Sequence, residues 1–266
     1  MKDNLSPLIY TPDGSYQTTH SERFSIYRKF PSFLFYCSLL NVVITGSNVA
    51  KQGRYSKGQW IHDSLRVIRG LERAGVSLNI KGINNFKDLE HPVIFIGNHM
   101  SILETTVLPA IIAPFKPVTF VVKESLVRYP LFKHIMIATK PITVTRTNPR
   151  EDFKKVIKEG TEMLRQGISI IVFPQTTRTV VFNPDEFNTI GIKLAKNAQV
   201  PVIPIALKTD AWQNGKWFKD LGKILTKKKV YFAFGQPIYI KDRGNEEHEQ
   251  VIRFIQDHLK EWEDEN

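Results

Sequence analysis

Seven short runs of apolar and β-branched residues, separated by segments long enough for helices, most constrain the fold of this 266-residue chain. The runs are too continuous for strands with one solvated face, so both faces of their sheet must be covered. We therefore predict an α/β fold with a largely parallel central sheet of about seven strands flanked by helices. The predicted strands cover residues 77–80, 92–98, 118–123, 142–146, 168–173, 200–207 and 230–234. The predicted helices cover residues 101–112, 149–166, 187–197 and 246–263.

The segment before this pattern has a different character. An aromatic-rich block at 23–50, with basic residues on both sides, precedes an amphipathic helix predicted at 59–74. Aromatic and basic side chains together suit the headgroup region of a membrane, although a buried helix of a soluble core shows the same apolar pattern. We expect three parts: a polar tail (1–22), a two-helix membrane-associating unit (23–75) and an α/β domain (76–266).

The apolar centre of the aromatic block is short. Residues 33–44 would form a helix of about 18 Å, whereas the hydrocarbon core of a bilayer is roughly 30 Å thick. The sequence therefore predicts a segment that enters one leaflet without crossing the membrane.

The charge balance favours anionic partners. The formal net charge is +11 and the isoelectric point is near 9.6, which suits nucleic acid, anionic lipid surfaces or phosphate-bearing substrates. Charge alone does not choose among them. The single cysteine, Cys37, excludes an intramolecular disulfide and a zinc site of clustered cysteines. A single unpaired cysteine fits a reducing compartment, and the polar residues 1–14 do not resemble a secretory leader.

Polar and basic residues follow four of the predicted strands. Asn98 and His99 end one strand, Lys123 and Arg146 end two others, and the segment 173–179 follows a fourth. Because the carboxyl ends of parallel strands meet at one edge of a sheet, these side chains are expected to share a cleft.

His99 and Glu104 are the candidate catalytic pair. Glu104 falls in the first turn of the helix after His99, where its carboxylate can orient the imidazole and stabilise the imidazolium that forms when the histidine accepts a proton. The alternative is structural, because Ser101 and Glu104 also have the spacing of a helix capping box. The spacing alone leaves both readings open.

A phosphate site is the second candidate. The planar guanidinium of Arg178 offers paired donors, and Thr176 and Thr177 add hydroxyl groups. Arg146 lies just before the helix start at Asn148, whose amide groups also favour an anion. Structural alternatives explain the same residues. The threonines and Arg178 would suit an ordinary polar loop, Arg146 a surface salt bridge, and Lys123 an ion pair with its neighbour.

These blocks together resemble the glycerolipid acyltransferase family, and most closely its bacterial 1-acyl-glycerol-3-phosphate acyltransferases. The blocks are Asn-His-x4-acid at 98–104, a strand ending in Arg146, Phe-Pro-x-x-Thr-Arg-Thr at 173–179 and Val-Pro-Val-Ile-Pro-Ile at 200–205. Each block alone is weak, but four in this order and spacing are specific. The resemblance covers roughly residues 76–207, and the two N-terminal helices fit it.

The resemblance implies roles for individual residues. It makes His99 the general base and Glu104 the acid that orients it. It assigns substrate binding to Asn98, Lys123, Arg146, Gln175, Thr176, Thr177 and Arg178. Two positions depart from the family pattern: the acid of the first block is glutamate instead of aspartate, and Gln175-Thr176 replaces the usual Glu-Gly pair. The second departure puts the acceptor headgroup in question.

The expected function is transfer of a fatty acyl group from acyl-CoA or an acyl carrier protein to a lysophospholipid hydroxyl, first of all 1-acyl-glycerol-3-phosphate. We expect no metal and no cofactor beyond the acyl thioester. The expected partners are the acyl carrier, the lysolipid acceptor and one leaflet of an anionic bilayer at the cytoplasmic face, without nucleic acid. The alternatives are another lysolipid headgroup, such as an amino-acid lysolipid, and a non-catalytic basic lipid-binding protein on the same fold.

Overall fold

The structure is a computed structural model that describes residues 7–19, 29–130, 132–215 and 219–264. Within these ranges it contains eight strands, eight α-helices and two short 3-10 helices. The strands are β1 (Tyr16–Gln17), β2 (Leu78–Lys81), β3 (Ile94–Gly97), β4 (Val118–Lys123), β5 (Ile142–Val144), β6 (Ser169–Val172), β7 (Val202–Lys208) and β8 (Val230–Phe234). The helices are α1 (Pro31–Lys51), α2 (Lys57–Ala74), α3 (Leu103–Ile112), α4 (Glu124–Val127), α5 (Lys133–Ala138), α6 (Pro149–Arg165), α7 (Ile190–Ala198) and α8 (Asn245–Asp264), and the 3-10 helices are Ile83–Asn85 and Pro184–Glu186.

The strands form one sheet in the order β1-β2-β8-β7-β3-β6-β4-β5. Strands β3 to β7 are mutually parallel, which confirms the predicted α/β class with a mostly parallel sheet. The other three strands were not predicted in this arrangement. β8 is antiparallel to β7 and parallel to β2, and β1 pairs antiparallel with β2.

Alternating side chains of the central strand face two separate cores. Phe95 packs with residues of α2 and α3 on one side, whereas Ile94 and Ile96 pack with residues of α6, α7 and α8 on the other. Successive side chains of a strand point to opposite faces, so the continuous apolar runs reflect a sheet that is buried on both. The result is a three-layer α/β/α arrangement.

The segment expected to be a polar tail is partly built into the fold. Leu8 and Tyr16 are buried, and Tyr16 pairs with Ile80 at the edge of the sheet. The Tyr16 ring also packs edge-on against Tyr10 at 6.3 Å. The predicted tail is therefore wrong for residues 7–19, because a two-residue strand is too short to show an alternating pattern. Residues 23–28 of the predicted membrane unit lie outside the described residues.

Helix α1 is longer than its apolar centre suggested. It spans 21 residues, about 30 Å, and is the one helix in the described ranges with the length and apolar composition to cross a membrane. The predicted length of about 18 Å is wrong because Asn41, Gly46 and Ser47 do not interrupt the helix. Gly46 and Ser47 are instead buried against neighbouring elements.

Both ends of α1 are held against the α/β domain. Near its start, the Ser32 hydroxyl accepts a hydrogen bond of 3.0 Å from the Ile224 amide, and the buried Phe35 ring meets Trp212 at 4.8 Å. Near its end, Gly46 packs so closely on α2 that an added Cβ would lie 2.7 Å from an oxygen of Asp63. A helix docked at both ends lies along the domain and does not lead away from it.

Candidate active site

The carboxyl edge of the parallel strands gathers the predicted polar residues around one cavity. The cavity has a volume of about 410 Å³. Five of the predicted site residues line it: His99, Lys123, Arg146, Thr177 and Arg178. The shared cleft expected from the strand ends is therefore present in the structure.

His99 and Glu104 form a close pair at this cavity. The Nδ1 atom of His99 lies 2.8 Å from Oε1 of Glu104, whose side chain is fully buried, while 16% of the His99 side chain remains exposed. An ionised carboxylate accepts hydrogen bonds only, so it fixes the proton on Nδ1 and leaves Nε2 as the basic nitrogen. The pair thus has the geometry of a general base with its orienting acid.

Glu104 also has the capping role that the sequence left open. Its Oε1 accepts hydrogen bonds from the amides of Met100 and Ser101 at 2.7 and 2.9 Å, and its Oε2 accepts one from the Thr209 hydroxyl at 2.7 Å. Burial alone would raise the pKa of Glu104, but the hydrogen bonds from His99, Thr209 and Ser101 hold it below its usual range. One carboxylate therefore both accepts hydrogen bonds from the amides that precede α3 and orients the histidine.

The backbone of His99 is held by the loop after β6. The Gln175 side chain accepts a hydrogen bond of 2.6 Å from the His99 amide, and the Thr179 amide donates one of 3.0 Å to the His99 carbonyl. The Phe173 ring stacks on the imidazole with centroids 4.6 Å apart. Ring and peptide of the histidine are thus fixed by the same short loop.

Two predicted substrate-binding residues do not face the cavity. Gln175 is buried, and both ends of its amide are used, by the His99 amide and by the Thr179 hydroxyl at 2.8 Å. Asn98 is also buried, and its amide makes two hydrogen bonds with the backbone of Leu207, at 2.8 and 2.9 Å. Both predictions are corrected: these side chains join elements of the site to one another.

A group of cations lies at the cavity beside His99. Lys123, Arg146, Arg178 and Lys219 line this part, and the guanidinium of Arg146 donates a hydrogen bond to the Thr176 carbonyl. The side chain of Thr176 does not line the cavity, and the residue meets the group of cations through its backbone carbonyl. Three of these cations, together with an Arg178 that is paired with the carboxylate of Asp220, leave the opening with a net positive charge that suits a phosphate group.

Asp220 and Lys219 were missed by the sequence analysis. Asp220 lines the cavity and lies 2.7 Å from the guanidinium of Arg178. Both residues belong to the connection between β7 and β8, which carries no motif and no helical pattern. The connection is long, has no helical pattern and joins two apolar strands. Such a connection favours antiparallel strands, so it predicts that the chain turns back at the same edge of the sheet as the site.

The cavity continues from the cations into an apolar chamber. Side chains of α1, α2, α4 and α5 form its walls, among them Leu39, Val42, Trp60, Leu126 and Met136. The opening beside His99 therefore joins a basic region suited to a phosphate with an apolar region suited to a hydrocarbon chain. Within the described ranges, no three histidine, cysteine or acidic residues lie close enough together to hold a metal ion.

Comparisons with known proteins bear on the same region. Residues 77–208 match the family model described as Acyltransferase. Over 152 residues the chain is 33% identical to the 1-acyl-sn-glycerol-3-phosphate acyltransferase of Pseudomonas aeruginosa. This alignment covers 57% of each protein. Over 188 residues it is 30% identical to the probable enzyme of the same name from Mycoplasma genitalium, covering 67% of this chain and 66% of that protein. The chain thus matches less than two thirds of the length of either relative.

The fold also has a solved counterpart. The crystal structure of the 1-acyl-sn-glycerophosphate acyltransferase PlsC from Thermotoga maritima superposes with a TM-score of 0.66. The match covers 89% of this chain and 96% of that one, at 18% sequence identity. This similarity establishes the fold alone.

Proposed function

Because the chain belongs to the glycerolipid acyltransferase family, we propose that it transfers a fatty acyl group from an acyl thioester to the free hydroxyl of a lysophospholipid. The observation that carries the proposal is the His99–Glu104 pair, whose histidine lines the same cavity as a group of cations and the apolar side chains of four helices. A phosphate on one side and a hydrocarbon chain on the other leave the reacting hydroxyl and carbonyl beside the histidine.

The chemistry follows from the free nitrogen of His99. Nε2 takes the proton from the acceptor hydroxyl, and the oxygen attacks the thioester carbonyl to form a tetrahedral intermediate. The new C–O ester bond remains when the C–S bond breaks, and the imidazolium returns its proton to the departing thiolate. Glu104 stabilises the imidazolium while it exists. This route forms no covalent bond between the acyl group and the protein.

We propose 1-acyl-glycerol-3-phosphate as the acceptor, which would give phosphatidic acid. Two observations support it: the cations at the cavity, and the names of the relatives from Pseudomonas aeruginosa and Mycoplasma genitalium. Gln175 does not line the cavity, so its replacement of the usual glutamate does not change which charged side chains line it. The 2.8 Å contact between Glu104 and His99 argues against the non-catalytic alternative, because it shows that glutamate reaches the imidazole as the usual aspartate would.

A direct assay separates the candidate functions. The purified protein is incubated with palmitoyl-CoA or palmitoyl-acyl carrier protein and with a panel of acceptors: lysophosphatidic acid, an amino-acid lysolipid and a zwitterionic lysolipid. Thiol release and formation of the diacyl product are both measured. The proposal predicts highest turnover with lysophosphatidic acid. No thiol release with any combination would contradict it, and a preference for another lysolipid would correct the acceptor.

Arg146 and Arg178 should contribute to acceptor binding. Replacing either with alanine should raise the acceptor KM by roughly ten- to a hundredfold, because a hydrogen bond to a charged group contributes about 1.5–3 kcal/mol. The donor KM should change little. Steady-state kinetics with varied acceptor provide the measurement, and Arg253→Ala on the exposed side of α8 is the matched control. Unchanged acceptor kinetics in both variants would remove the two arginines from the site.

The proposal includes residence at one leaflet, on the cytoplasmic face. Phe33, Leu40 and Ile44 are exposed and spaced by seven and four residues, so they form an apolar stripe along α1. Because both ends of α1 are docked on the domain, we place the stripe in one leaflet with the helix lying along the domain. The free Cys37 agrees with a reducing compartment.

Charging this stripe should release the protein from membranes. Phe33→Asp with Ile44→Asp should reduce co-sedimentation with anionic vesicles by at least about tenfold, since each large apolar side chain contributes roughly 1.5–3 kcal/mol when buried. Phe35, which the aromatic block also suggests as a lipid contact, is buried against Trp212, so its replacement would disturb the fold instead. A folded double variant that still sediments fully would show that α1 is not the anchor.

A further inference from the structure

Three exposed apolar side chains lie on two loops beside the catalytic pair. Val180 and Val181 follow Thr179 in the loop after β6 and are 53% and 79% exposed. Leu221 follows Asp220 in the β7–β8 connection and is 59% exposed. Single exposed apolar residues are common, but a group of them at one place marks an interaction surface.

The two loops are tied together at the opening of the cavity. The Thr179 amide donates a hydrogen bond of 3.0 Å to the His99 carbonyl, which holds the backbone just before the two valines beside the histidine. The ion pair of 2.7 Å between Arg178 and Asp220 joins the first loop to the second. Val180 and Val181 therefore lie within a few residues of one partner of this ion pair, and Leu221 lies next to the other.

The same group is continuous with α1. Gly222, next to Leu221, accepts a hydrogen bond from the Tyr36 hydroxyl. Ile224 donates one to Ser32, and Ser32 adjoins Phe33, which is 68% exposed. The start of α1 is thus hydrogen-bonded to the segment that carries Leu221, so the exposed residues of both lie on adjoining parts of the fold.

Basic side chains accompany these apolar ones. Lys219 and Lys223 are exposed on the same connection as Leu221, and Lys123 is exposed at the cavity. Lysines beside exposed apolar residues suit an anionic lipid surface, because the apolar groups enter the leaflet while the ammonium groups remain with the lipid phosphates. The net charge of +11 acts in the same direction.

We propose that Val180, Val181 and Leu221 form a second lipid contact, which sets the opening of the cavity against an anionic bilayer. This contact lies outside the two N-terminal helices. The proposal rests on the proposed function only in assuming that the site acts on lipids held in that bilayer. An acidic carrier protein would also be attracted by the lysines. The bilayer is favoured because the most exposed residues are apolar and adjoin the exposed end of α1.

The test is vesicle binding by the full chain with Val181→Asp and Leu221→Asp combined. Binding is measured by co-sedimentation with vesicles of phosphatidylglycerol and phosphatidylcholine, and activity is measured with a bilayer acceptor and with a short-chain monomeric acceptor. The matched control is Ile9→Asp. Ile9 is 78% exposed and adjoins Tyr10, which contacts Phe115 beyond the end of α3, at the edge of the sheet opposite His99.

The double variant should bind vesicles at least about tenfold more weakly, because it loses apolar burial and adds charges that anionic lipids repel. Its activity on the monomeric acceptor should stay within about twofold of the wild type, and Ile9→Asp should bind as the wild type does. Wild-type vesicle binding by the double variant would overturn the proposal. So would normal vesicle binding with activity lost only when an acyl carrier protein is the donor, since that result assigns the surface to the carrier. If no variant and no wild-type protein shows turnover, the proposed function fails, and the vesicle binding still decides this inference.

Discussion

His99→Ala should reduce acyl transfer by about 10²–10⁴-fold, the usual effect of removing a general base. The loss should appear in kcat with both acyl-CoA and acyl carrier protein donors, because proton removal from the acceptor is common to both. The protein should remain folded, since Glu104 keeps its hydrogen bonds from the Met100 and Ser101 amides when the imidazole is absent.

His91 provides the matched control. It lies just before β3, at the end of the strand opposite His99, and is exposed. His91→Ala should therefore leave turnover unchanged. Thiol release is measured for both variants, and circular dichroism confirms their fold. Near-normal turnover by a folded His99→Ala protein would refute the proposed mechanism.

Glu104→Gln should reduce turnover by roughly 10²-fold or more while leaving the fold largely intact. The amide oxygen of glutamine can replace Oε1 as acceptor for His99, Met100 and Ser101, and its NH₂ group can donate to the Thr209 hydroxyl in place of Oε2. The variant therefore removes the negative charge that stabilises the imidazolium and keeps the cap of α3.

Glu104→Ala tests the other role of the same residue. It leaves the Met100 and Ser101 amides without their acceptor and should lower the free energy of unfolding by roughly 2–6 kcal/mol, since each buried unpaired donor costs about 1–3 kcal/mol. Urea denaturation of both variants separates the two roles. If Glu104→Gln retained full activity, Glu104 would be a helix cap alone.

The pH dependence of stability gives a further readout of this carboxylate. The pKa of Glu104 is lower in the folded protein than its ordinary value of 4.5. Its ionised form therefore contributes stability above about that pH, and this contribution is lost as the pH falls through the lower folded value. The difference in stability between wild type and Glu104→Gln should accordingly shrink under acid conditions.

The sequence predicts most of the framework of this site but not the direction of every side chain. Strand ends carry His99, Lys123 and Arg146 to one edge because parallel strands share that edge, and this argument needs only the apolar runs. The sequence indicates two roles for Glu104, orienting His99 and capping a helix. The carboxylate makes the contacts that both roles require.

Other features depend on contacts that no local pattern contains. A glutamine in a loop can face a substrate or a peptide group, and Gln175 faces the His99 amide because that buried donor needs an acceptor. Asp220 reaches Arg178 only because β8 returns antiparallel to β7. The polar residues of α1 suggested an interrupted helix, whereas close packing on α2 accommodates Gly46.

The attachment of α1 at both ends has a kinetic consequence. With the helix lying along the domain and the apolar chamber lined by the same helix, the proposed enzyme would meet its acceptor within the plane of the membrane. Its rate would then follow the mole fraction of lysolipid in the bilayer and not the bulk concentration. Adding inert phospholipid at constant total acceptor would slow turnover by surface dilution, although the bulk concentrations of enzyme and acceptor stay the same.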